Sequence, residues 1–202
     1  MRRVVVLVLL ALALPIAAWA DGITLTNQFG TIAVSGAGIA STGSQLKSFN
    51  GISAAPGHSL GSVSFTTGAM NGGTLAGGGS FSSLGSTFNV VGKGNWAHGQ
   101  NTVIFTGSFV GDISWTLTAV SGQTKTFTLV GAISGQLWDG RTVTGTTQQT
   151  IFVLSSNQFL QGVGHIHAGT TNLAVPEPGT LGLLGTGLVG IAGMFRRKLI
   201  GG

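Results

Sequence analysis

Between Asp21 and Leu173 no window of this chain repeats its apolar residues at helical spacing, while β-branched residues and glycine recur throughout. A chain of that pattern is confined to strands and turns. The clearest segment is Asp112 to Ala119, where Ile113, Trp115, Leu117 and Ala119 share one face and Asp112, Ser114, Thr116 and Thr118 the other. Successive side chains of a strand point to opposite faces, so this is a half-buried strand with Trp115 in the core. Thr87 to Val91, Thr102 to Val110, Lys125 to Trp138 (one strand, or two broken at Gly131 or Gly135), Thr142 to Leu154 and Phe159 to Leu173 read as further strands. Ser121-Gly122-Gln123 and Ser155-Ser156-Asn157 turn the chain, and Asp139-Gly140 is a strong hairpin signal. Nearer the start, Ile23 to Thr26, Thr31 to Val34, Leu46 to Phe49 and Ser62 to Thr66 are shorter strands, punctuated by Asn50-Gly51. Gly68 to Gly79 holds six glycines in twelve residues and is expected to be a mobile loop, because glycine loses most backbone entropy on ordering. The alternative is an edge packed closely against a neighbour. The even spacing of strands and short turns predicts a single antiparallel, Gly/Thr-rich, all-β domain over residues 21–174, a sandwich or a barrel.

Charge narrows the function. The formal charge of +5 invites a nucleic-acid partner until the charges are located. Arg2, Arg3, Arg196, Arg197 and Lys198 lie at the two ends. Between Asp21 and Val175 the cations are Lys47, Lys93, Lys125 and Arg141 and the acids Asp21, Asp112 and Asp139, a net of +1. No basic cluster remains, so a nucleic-acid binder is excluded. The surface must be made polar by Thr, Ser, Asn and Gln. The absence of cysteine removes disulfides, thiol catalysis and thiolate metal sites.

Both ends of the chain are targeting segments. Arg2-Arg3, the apolar core Val4 to Leu14, the break at Pro15 and Ala18-Trp19-Ala20 form a secretory signal peptide over residues 1–20. Signal peptidase is expected to cut before Asp21. At the other end, Val175-Pro176-Glu177-Pro178-Gly179 precedes an uncharged apolar run to Phe195, followed by Arg196-Arg197-Lys198. The run, about 179–195, is at the short end of the ~17–25 residues that cross a bilayer as a helix. Its glycines are better tolerated there than in a water-soluble helix. The cations stop transfer and stay cytoplasmic, which leaves the body outside. Two prolines keep the hinge extended and open to a protease, with Val175 and Glu177 held in extended geometry before them.

These three parts, in this order, resemble the PEP-CTERM sorting signal found at the C-termini of exported bacterial proteins, largely Gram-negative ones. The resemblance covers the segment 175–202. It implies recognition of Pro176, Glu177 and Pro178 by an exosortase, a membrane-embedded cysteine protease or transpeptidase. It also implies cleavage near that triplet and a link to exopolysaccharide and biofilm matrix. The expected course is export, anchoring in the inner membrane with the body in the periplasm, and then release to the cell surface or medium.

Chemistry in the body is sparse. Asp112 and Asp139 are the only interior acids that could act as the carboxylate pair of a glycosidase, and each is explained by a turn. No nucleophile elbow or phosphate-binding loop occurs, so no enzyme and no cofactor is expected. His165 and His167 would share a strand face and form a weak metal candidate. It would need a third ligand from His98 or His58, and two exposed surface histidines are the favoured reading. Trp96 and Trp138 are the candidates for stacking on a sugar, against the plainer reading that they cover the core's ends. The expected function is a non-enzymatic matrix or cell-surface protein. A carbohydrate-binding module for the producer's exopolysaccharide is the alternative, and a hydrolase ranks third.

Overall fold

The alternation read from the sequence becomes the wall of a closed barrel. A computed structural model describes residues 22–97, 99–154 and 162–175, within the compact unit Gly22–Val175. The signal peptide, the turn at 155–157, His98, the Pro-Glu-Pro triplet and the apolar run lie outside the described residues.

The strands follow one another as β1 (Gly22–Gln28), β2 (Thr31–Ser35), β3 (Gly38–Phe49), β4 (Ile52–Ser53), β5 (Gly61–Thr66) and β6 (Met70–Thr74). They continue as β7 (Gly78–Phe81), β8 (Thr87–Gly94), β9 (Gly99–Ser121), β10 (Thr124–Leu137), β11 (Thr142–Leu154) and β12 (Gly162–Ala174). β1 and β2 share one wall position, because both pair with β12 on one side and β3 on the other. The chain breaks between them at Phe29 and Gly30, which take φ of 63° and 90°. A side chain on Gly30 would meet the backbone of Thr42 and Ser44, so glycine is required there on two counts.

From that position the sheet runs β3, β5, β8, β9, β10, β11, β12 and back to β1, an eight-stranded antiparallel ring. The closing ladder pairs Gly22 with Ala174 and continues to Asn27 with Gly169, joining the first and last described strands. A ring has no free edges along this path, which removes the templates for unwanted strand pairing. Of the two architectures open from sequence, the barrel is the one formed.

Inward-facing residues fill it. Phe65, Phe88, Phe105 and Phe109 pack with ring centroids about 6 Å apart. Trp115 stacks on Phe127 at 4.3 Å and donates its indole N–H to the Leu75 carbonyl at 3.0 Å. Room for these rings comes from inward glycines. A side chain on Gly131 would press on the Phe109 ring.

Of the two readings of Lys125 to Trp138, the single long strand is the one formed: β10 runs unbroken to Leu137, and Gly131 and Gly135 serve packing rather than turning. Three other expectations are corrected. Thr102 to Val110 and Asp112 to Ala119 are one 23-residue strand, β9. Ala119 is exposed rather than on the inward face, because the ladder to β10 shifts register between Thr126 and Phe127, opposite Ala119 and Leu117. Gly68 to Gly79 is no loop. It contains β6 and the start of β7, a hairpin that pairs with the upper part of β9. Side chains at Gly73 or Gly79 would collide with the opposing backbone, so glycine permits this close pairing. β6 is the outer strand of that extension, as the edge alternative anticipated.

Candidate functional site

The point where the chain leaves the barrel is built rigidly. β12 pairs on both sides to its last residue, Ala174 opposing Gly22 and Thr144. Leu173 and Val175 are buried. The Pro-Glu-Pro triplet begins at the very next residue. Pro176 cannot donate to a ladder, so the strand has to stop where the triplet starts.

In an up-and-down barrel alternate connections fall at the same end. The chain's exit therefore shares one end with the β3–β5, β8–β9 and β10–β11 connections, and this is the end that gathers the candidate aromatics. Trp96 lies in a single 3-10 turn, Asn95–Ala97. Trp138 opens the β10–β11 turn, its backbone N–H donating to the Ile104 carbonyl at 3.0 Å. Between them stands Phe49, with centroids 5.4 Å from Trp96 and 6.4 Å from Trp138. The structure thus joins the two tryptophans through a buried phenyl that sequence reading passed over. They are not equivalent. Trp96 is half-buried, and its indole nitrogen is enclosed with no hydrogen-bond partner among the described residues. Trp138 remains 44% exposed.

Beside Trp138, the Asp139 carboxylate accepts the Arg141 backbone N–H at 3.0 Å and Arg141 Nε–H at 2.6 Å. The backbone bond from Arg141, then the guanidinium, holds its pKa below the ordinary carboxylate value. Asp112 accepts a hydrogen bond from Asn71 at 2.7 Å on the outer wall. It lies in the upper part of β9, whereas Asp139 lies in a turn at the tail end. His165 and His167 do share the outer face of β12, and His167 stacks on Phe152 at 4.4 Å. His58 sits in the β3–β5 connection. Among the described residues no three His, Cys, Asp or Glu side chains gather as metal ligands.

Sequence reading also missed a polar patch inside the barrel. Asn27 Nδ2 donates to Ser44 Oγ at 2.8 Å and to Gln149 Oε1 at 2.9 Å, and Gln149 Nε2 donates back to Asn27 Oδ1 at 3.2 Å. Gln149 also donates to Thr147, whose hydroxyl meets that of Thr171 at 2.8 Å. The signal was present: Asn27 is in phase with Ile23 and Leu25, and Gln149 with Ile151 and Val153. The network joins β1, β3, β11 and β12 across the closing seam. It contains no group that titrates near neutral pH, so it locks register rather than moving protons.

Residues 174–198 match the PEP-CTERM protein-sorting motif. The molecule is a closed β-barrel that carries its own sorting segment. That segment marks it as an exported protein, associated with the membrane before processing by an exosortase. Comparison with curated proteins and with solved structures gives no match.

Proposed function

We propose that the barrel is a non-enzymatic component of the cell surface or extracellular matrix, associated with exopolysaccharide and released to it by cleavage near Pro176–Pro178. The observation that carries this reading is the junction itself. The sorting triplet follows directly on the strand that closes the barrel, so a cut there would leave a fold complete from β1 to β12. The outer wall suits life among neutral glycans. It carries few charges and is hydroxyl-rich, and its side chains bond across strands, as Thr24 does with Asn172 and Thr26 with Ser48. The engagement of Asp112 with Asn71 and of Asp139 with Arg141, in different parts of the barrel, favours a binding or structural role over hydrolysis. Extraction of the producer's matrix polysaccharide should carry the processed barrel with it. Recovery only in the polysaccharide-free fraction would overturn the association.

A second reading has one specific observation behind it. Trp138 presents a half-exposed indole braced edge-on against Phe49, a rigid apolar surface of the kind that stacks on a sugar ring. Affinity electrophoresis in the producer's polysaccharide should show retardation that Trp138→Ala abolishes. Equal mobility of both proteins would reject it.

A further inference from the structure

The two ends of the barrel differ in charge, and the difference follows the exit of the chain. At the tail end Lys93 is the penultimate residue of β8, Arg141 closes the β10–β11 turn, and Lys47 reaches the β3–β5 connection by donating to the His58 carbonyl at 2.8 Å. Asp139 is the acid among the described residues of that end, and Arg141 already neutralises it. The remaining described cation, Lys125, serves the opposite end, where it donates to the Ala76 carbonyl at 3.3 Å. Among the large apolar side chains exposed at the tail end are Trp138 and Ile52, each 44% accessible; the opposite end exposes Leu84, Val120 and Leu154, so charge and the exit of the chain, not apolar exposure, distinguish the two ends.

Chain length sets where this face can go. Val175 is fixed in the barrel, and the apolar run starts at Gly179. The three residues between them can span about 10–14 Å even when fully extended. Taking the run as the membrane anchor of the reading above, the tail end of the barrel cannot stand clear of the lipid. We infer that this face docks on an anionic bilayer, with Trp138 and Ile52 in the headgroup region and the exposed Lys93 against lipid phosphates. Tryptophan favours that interface, and cations near an anionic surface are drawn to it. The seat is temporary, because cleavage at the triplet removes the tether and leaves only the weak contact.

The chain has no native cysteine, so single labels can be placed cleanly. An environment-sensitive fluorophore would be attached at Thr142→Cys beside Arg141, or at Gln123→Cys at the far end, in the full chain. Each protein would be reconstituted in vesicles of phosphatidylcholine and phosphatidylglycerol with brominated acyl chains. Flotation is scored first, and a chain that fails to float overturns the anchor reading on which this proposal rests. In floated protein the proposal expects quenching severalfold greater at residue 142 than at 123. That difference should shrink when phosphatidylglycerol is omitted and in the Lys93→Ser and Ile52→Ser backgrounds, which spare the core. Equal quenching at both positions, or quenching at 142 only after exosortase is added, would overturn lipid docking.

Discussion

Asn27 and Gln149 make the strongest single-residue prediction. Each amide is buried, and each satisfies the other in both directions. Truncating Asn27 to Ala leaves the Gln149 amide short of partners in a place water cannot reach, at a cost of about 1–3 kcal/mol. Urea unfolding of Asn27→Ala, Gln149→Ala and the double variant should show that the pair together costs less than the sum. Simple additivity would mean that the two side chains do not act as one unit. Asp139 makes a pH prediction. Its folded pKa is depressed by Arg141, so its contribution is present above the ordinary carboxylate range and is lost as pH falls through the folded value. The effect is small because the group is exposed. Acid titration of stability should be slightly flatter in Asp139→Asn. A change confined to alkaline pH would contradict the assignment. At this scale Trp115, Trp138 and the Asp139-Gly140 turn were legible, because alternation and turn chemistry are local. The partnership of Trp96 with Phe49 was not, since five strands separate them in sequence and their contact rests on how the barrel closes.

Among the elements, the β6–β7 hairpin separates what local sequence reveals from what packing decides. Its glycines signal flexibility when read alone. In the folded chain they let two backbones approach, and the hairpin tip receives Trp115 and Lys125 on its Leu75 and Ala76 carbonyls. Gly79→Val should therefore destabilise by about 1–3 kcal/mol, as overpacking does. Faster amide exchange should be concentrated at residues 70–81. Unchanged exchange there would show that the close approach is unimportant. The same distinction explains β9 and β10. Gly131 and Gly135 resemble breaks when read along the strand, yet the strand continues because aromatic rings fill the space above them. Asn50-Gly51 was read correctly as a turn, since both residues take positive φ, 45° and 84°, as a two-residue hairpin demands.

For the whole molecule, the all-β class was legible from periodicity, whereas the choice of a barrel over a sandwich was not. That choice depends on the pairing of Gly22–Asn27 with Gly169–Ala174, about as distant as two strands of this chain can be. The sorting segment was legible because it is read by an enzyme as a linear motif. Its meaning depends on the fold: a strand paired through Ala174, a buried Val175, and then the triplet. The central claim is that the chain is cut just beyond the barrel and leaves it whole. Intact mass of the protein from envelope and medium, in cells with and without the exosortase, tests this most directly. The account predicts a species from Asp21 to between Pro176 and Gly179 that disappears when the enzyme is deleted. A mass retaining Arg196 to Gly202 in both strains would contradict it.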